Sequence, residues 1–200
     1  MPSGDEIQTY LAGAWRLMMG KPDGVRALDV SADGFWNSFF AILVAVPALS
    51  VSWAGLAAEL SEFGHGSRFS ILLRLAVIDV VAWVLPLLVL GLVARPAGIP
   101  DRYPPFVLGR NWASAPLAWL LLPARLPQPL VPAAKELNDM VSLTVFLVAL
   151  VLSWRLTNAV LVKGAGMASA VFAGMVFAGI FLIVFLQGLF GLEGAQVPAG

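Results

Sequence analysis

The run Ile71–Ala94, ILLRLAVIDVVAWVLPLLVLGLVA, narrows what this chain can become. A membrane-spanning helix needs about 20 mostly apolar residues at 1.5 Å rise each, and this run is long enough. Two ionisable residues, Arg74 and Asp79, stand inside it. With Ile71–Val93 as the span, the middle falls near Ala82 and Asp79 lies about 4–5 Å from the midplane. A charge at that depth costs a few kcal/mol, so it is expected to face the bundle interior, a partner or water. Arg74 sits nearer the end and can snorkel to the interface. The two lie roughly 140° apart round a helix and do not share a face. Arg155 and Arg110 are therefore the candidate partners of Asp79 on other helices. Two roles stay open for Asp79: a protonated, hydrogen-bonded clip between helices, or a station on an ion or proton path.

The rest of the chain agrees with a bilayer as solvent. Of 200 residues, 60% are apolar and only 12% charged, against about 25% charged in soluble domains. The expected fold is an all-α, polytopic helix bundle with membrane lipids as its surroundings. Net charge is zero and no basic patch is present, so no nucleic-acid partner is expected. The absence of cysteine excludes disulfides, thiolate zinc sites and iron–sulfur clusters held by the chain. His65, the single histidine, cannot supply both axial ligands of a bis-histidine haem and reads as a solvated loop residue. There is no glycine-rich phosphate loop and no zinc-protease helix motif. Few nucleophile–base pairs are possible. The lysines, Lys21, Lys135 and Lys163, all lie at span ends or in loops. No enzyme, catalytic residue, metal site or cofactor is expected.

Residues 1–34 read as a polar N-terminal segment. Ser3-Gly4-Asp5-Glu6 fits a capping box. Ile7, Leu11, Ala14, Trp15 and Met18 follow at helical spacing, and Gly20-Lys21-Pro22 stops the helix. This predicts an amphipathic helix, lying on the membrane surface or packed on the cytoplasmic end of the bundle. Asp5 and Glu6 stand where a signal peptide carries bases, so the first span is expected to remain attached.

Five spans are expected, at about 35–58, 71–94, 106–126, 137–162 and 164–192, with a short tail at 193–200. In the first, Asp33 is placed to cap, Pro47 to kink, and Trp36 and Trp53 to form belts at the two interfaces. The third is shortest. Only 14 uncharged residues separate Arg110 from Arg125, with Pro116 among them, so four spans plus a re-entrant segment is the alternative. Arg155 interrupts the fourth and can snorkel. In the fifth, Gly166, Ala170, Gly174 and Ala178 recur every fourth residue, a face for close helix packing within the bundle or between copies. Phe177, Phe181 and Phe185 form a second stripe.

Lysine and arginine counts set orientation. With the N-terminus inside, eight bases lie inside (Arg16, Lys21, Arg26, Arg95, Arg102, Arg110, Arg155, Lys163) and four outside (Arg68, Arg74, Arg125, Lys135). The re-entrant alternative gives the same split, so the charge rule favours a cytoplasmic N-terminus without choosing the number of spans. The expected location is a bacterial cytoplasmic (inner) membrane.

Asp33-Gly34-Phe35-Trp36 stands just before the first span. With five spans, a polar N-terminal segment and a short tail, this resembles the Yip family of small membrane proteins, in which an Asp…Gly…Phe-Trp type motif holds that place. The family's Leu-Tyr and Pro are missing here. The resemblance implies membrane organisation or traffic through protein partners, without catalysis. From the residues themselves, two functional classes remain. One is an accessory, scaffold or membrane-organising protein working through a protein partner or a homo-oligomer. The other is a small transporter or channel component, with Asp79 and Arg155 lining a path and Pro47, Pro86 and Pro116 interrupting helices.

Overall fold

In the computed structural model, residues 1–125 and 135–192 are described, the stretches 123–125 and 135–138 by their backbone alone. The proline-rich loop at 126–134 and the tail at 193–200 lie outside the described residues, as do the side chains of Arg125 and Lys135. No strand occurs among the described residues.

Helix α1, Gly4–Met18, starts at the capping box read from the sequence: the Glu6 N–H donates to Ser3 Oγ and the Ser3 N–H to Glu6 Oε2. Its buried stripe is Tyr10, Gly13, Ala14, Leu17 and Met18, whereas Trp15 is exposed. The face is thus rotated from the one expected, which included Trp15. Gly13 and Gly24 explain the rotation. A 3-10 turn at Pro22–Ala27 folds back over α1, and a Cβ on Gly24 would lie 2.5 Å from the Gly13 oxygen. Side chains larger than hydrogen are excluded at that crossing. The inner face of α1 packs on the bundle.

Helix α2, Ala32–Asn37, is capped by Ser31, whose Oγ accepts from the Gly34 N–H at 3.1 Å. Asp33, expected as the cap, sits inside the first turn. Both residue types can cap. Here Ser31 takes the role because its backbone is extended and the Asp29 carboxylate accepts from its N–H. A 3-10 turn at Ser38–Phe40 leads into α3, Ala41–Glu62. Then come α4, Arg68–Val93, α5, Tyr103–Arg125, α6, Lys135–Leu161, and α7, Ala165–Leu189. Pro47 and Pro86 lie inside α3 and α4. Among the described residues, four helical segments are long and apolar enough to cross a membrane: Ala32–Glu62, Arg68–Val93, Asp139–Leu161 and Ala165–Leu189. That is consistent with an integral membrane protein. α5 is not among the four, although it is one unbroken helix of 23 residues.

Helix directions follow from named contacts. Gly109 of α5 packs on Leu17 of α1 and Val160 of α6, which defines the end of the bundle that holds α1. α3 starts at that end, because Asn111 of α5 bonds Ser38. Further along, Trp119 of α5 donates to the Val44 oxygen, so α5 runs beside α3 in the same sense. At the far end, Arg74 in the second turn of α4 reaches the Phe190 oxygen at the close of α7. α6 and α7 are joined by three residues and lie antiparallel, with Trp154 Nε1 donating to Ser169 Oγ at 3.0 Å.

Two apolar cores result. At the α1 end, Leu17 and Met18 meet Phe106, Val107, Trp112, Leu156 and Val160. At the far end, Trp53, Ala57 and Leu60 of α3 meet Ile71, Leu75 and Ile78 of α4, with Leu192 beside them.

Candidate functional site

Asp79 is half-buried on α4 and accepts a hydrogen bond from Trp53 Nε1 of α3 at 2.7 Å. Trp53 is itself only 9% exposed. It therefore does not form an interfacial belt, and of the expected pair only Trp36 is exposed, at 70%. An indole N–H inside an apolar core needs an acceptor, and Asp79 is the polar acceptor that the facing helix supplies. Neither Arg155 nor Arg110 pairs with Asp79. The two cross-helix partners inferred from charge alone are replaced by a neutral donor.

Arg155 instead donates to the Met19 oxygen at 2.7 Å, just past the last turn of α1. A cation at a helix C-terminus meets unpaired carbonyls and the negative end of the helix dipole. Arg74 does the same for α7, donating to the Phe190 oxygen at 3.2 Å. His65, expected to be solvated, meets the Gly191 oxygen at 3.0 Å. The loop between α3 and α4 is thereby fastened to the end of α7. The sequence carried no signal for these ties, since the partners are backbone carbonyls more than 100 residues away.

Arg110 differs from the other three. It stands two turns into α5, with Nε fully buried and no hydrogen-bond partner. Among the described residues none forms an ion pair or hydrogen bond with it. Leaving a buried charged donor unpaired costs at least about 1–3 kcal/mol. Arg110 borders a cavity of about 270 Å³ between α3, α4, α5 and α6. Trp83 borders the same cavity, and its Nε1 is also buried and unpartnered. Ser114, Ser153 and Thr157 complete the polar wall. Each hydroxyl already donates to a backbone oxygen of its own helix, at 2.6, 2.8 and 2.8 Å, and so offers only lone pairs to the cavity. Leu49, Leu117, Ala118 and Leu121 form the apolar wall. Among the described residues, no Asp or Glu lines the cavity. Beside this wall, Asn111 is fully buried and donates to Ser38 Oγ at 2.8 Å.

The small-residue face of α7 does not pack within the bundle. Gly166, Ala170 and Gly174 are exposed and Ala178 is half-exposed, while α7 buries Ala168, Val171 and Met175 instead. A Cβ added at Gly166 or Gly174 would touch nothing within 4 Å. Phe177, Phe181 and Phe185 are exposed as well. The period-four pattern was legible, but a helix that is apolar all round does not declare which side faces its own chain.

No group of three or more potential metal ligands occurs among the described residues. No family model, no curated protein and no solved structure matches this chain.

Proposed function

We propose that this chain is a non-enzymatic membrane protein of five crossings, an accessory or organising subunit that works through helix packing with a protein partner or a second copy of itself. The observation that carries this reading is where the ionisable side chains go. Asp79 joins α4 to α3, Arg74 joins α4 to the end of α7, and Arg155 joins α6 to α1. Groups that a transporter places along a path here hold helices together. The uncovered small-residue face of α7 is the surface offered to a partner, since lipid tails need no small residues to approach and helix backbones do. The resemblance of Asp33-Gly34-Phe35-Trp36 to the Yip family supports the same role.

Five crossings are supported by direction. α4 finishes at the α1 end, and α6 starts at the far end because α7 returns there to meet Arg74. Only α5 among the described helices lies between them in sequence, and at 23 residues it is about 34 Å long, enough for a hydrocarbon core of about 30 Å. The lysine and arginine counts favour a cytoplasmic α1 end, and a bacterial inner membrane is the setting proposed. In that setting α1 is an amphipathic helix at the membrane surface, seated on the bundle by its inner face. A reporter fused to each end of the chain should then read opposite sides of the membrane; the same side for both ends would return α5 to a re-entrant segment.

The function is tested by native mass spectrometry after gentle extraction, with disulfide trapping in the cysteine-free chain through Gly174→Cys. A second polypeptide in stoichiometric amount, or a trapped dimer, is expected. A monomer carrying pH-driven ion flux in liposomes that is lost in Asp79→Asn, with the fold intact, would replace this reading by the transporter one.

A further inference from the structure

We propose that the cavity between α3, α4, α5 and α6 is a binding site for an anionic phosphate group that carries hydroxyl donors, as in the headgroup of a phosphatidylglycerol-type lipid. Three observations lead there. First, among the described residues the wall holds one guanidinium and no carboxylate, so the cavity has a net positive charge that no described residue answers. Second, two buried N–H groups on this wall, Arg110 Nε and Trp83 Nε1, have no acceptor among the described residues. Polar groups at membrane depth are ordinarily satisfied internally; the third buried orphan among the described residues, Asn111 Oδ1, is an acceptor and does not line the cavity, so two orphan donors on one cavity point to an acceptor from outside. A guanidinium fork with a second N–H matches the oxygens of a phosphate. Third, Ser114, Ser153 and Thr157 have directed their protons to backbone oxygens and present only acceptors. A ligand that pairs with them must bring donors of its own. A phosphate with hydroxyls satisfies both sets, whereas a choline headgroup brings no donor and sets a second cation near Arg110.

The cavity is graded along α5. Arg110 and Ser114 belong to its polar part, while Leu117 and Leu121 lie about 10 and 16 Å further along the helix than Arg110. That grading suits an amphiphile with its headgroup at Arg110 and an acyl chain along the leucines. At about 270 Å³ the space is below that of a whole drug-sized ligand, and it takes a headgroup with its first methylenes. Arg110 stands two turns from the cytoplasmic end proposed above, so the ligand enters from that leaflet. The site does not depend on what covers α7.

The full chain is compared by thermal unfolding in three settings: nanodiscs of phosphatidylcholine alone, the same with a minority of phosphatidylglycerol, and lipid-depleted detergent with inorganic phosphate. Phosphatidylglycerol should raise the melting temperature of the wild type, and Arg110→Met should abolish the rise. Trp83→Phe keeps an aromatic ring without the N–H and should weaken the dependence on phosphatidylglycerol roughly tenfold. A stabilisation by inorganic phosphate alone that needs Arg110 supports the same site and assigns it to the free ion. The proposal is overturned if neither probe stabilises the protein, or if the phosphatidylglycerol effect persists in Arg110→Met. An unaltered response in Trp83→Phe also overturns it, which keeps the test decisive where Arg110→Met does not fold.

Discussion

Replacing Asp79 by asparagine and by leucine separates a hydrogen-bonding role from a charge role. The bond in question is 2.7 Å long, from a donor side chain 9% exposed to an acceptor on the adjacent helix. Asparagine keeps an oxygen that accepts from Trp53 Nε1, so Asp79→Asn should change stability by less than about 0.5 kcal/mol, well within one ordinary hydrogen bond. Leucine offers no acceptor and strands the indole N–H in an apolar core, which costs about 1–3 kcal/mol. Side-chain hydrogen bonds within membranes average about 0.6 and reach about 1.7 kcal/mol. The coupling energy in a cycle of Trp53→Phe and Asp79→Leu should therefore fall near 1 kcal/mol. The cycle removes the contribution of the lost ring volume, because Trp53→Phe appears on both sides of it. Unfolding in mixed micelles, followed by the helical signal, measures all four proteins. The clip is refuted if Asp79→Asn loses as much stability as Asp79→Leu, or if the coupling energy is zero within error.

Three other outcomes are expected. Arg155→Met should free the last turn of α1, speeding hydrogen exchange at Leu17–Met19 while leaving α3 and α4 unchanged; Arg74→Met should do the same only at Phe190–Leu192. Gly34→Ala should destabilise by about 3 kcal/mol, at the upper end of overpacking penalties, since its Cβ would collide with the backbone oxygen of Asp29; a normal melting profile would contradict this. Acid should loosen the N-terminal segment. Bonds from Ser3 hold the Glu6 carboxyl below its ordinary range, and the bond from Arg16 does so for Asp23. A carboxyl depressed by folding stabilises fully above its unfolded value and loses that contribution as pH falls through the folded one. Protection from exchange in the first turn of α1, corrected for the intrinsic rate, should therefore fall as pH drops below the usual carboxylate range, and Glu6→Gln, which removes the titrating carboxyl that the Ser3 N–H donates to, should remove the Glu6 part of that dependence.

What could be read from the residues was what is local. The Ser3–Glu6 box and the apolar runs each depend on neighbours a few residues apart, and they appear where the pattern puts them. The cross-chain contacts were illegible for the same reason. Trp53 and Asp79 are 26 residues apart, and Trp53 alone fits an interfacial belt as well as a core donor. Competing local choices also misled: Asp33 and Ser31 are both good caps, and an extended backbone at Ser31 decides between them. For α5, arginines at both ends and Pro116 within make a short uncharged run. The helix nonetheless continues, as packing on α1, α3 and α6 outweighs one lost backbone bond at Pro116. Arg110 was legible as an ionisable group at membrane depth, but not as one left without a partner beside an open cavity.

The clasp between Arg155 and Met19 has a consequence for biogenesis. Its two partners are 136 residues apart in the chain. At a synthesis rate of about 5–20 residues per second, the first helix leaves the ribosome about 7 to 27 s before its binding surface on α6 exists. During that interval Leu17 and Met18, both fully enclosed in the finished protein, lack the α6 side of their enclosure. The nascent chain must shelter them on the lipid surface or on a chaperone. An element made well before α6 thus completes its docking only after α6, and a protease pulsed during translation should cut between α1 and α2 until α6 has been inserted.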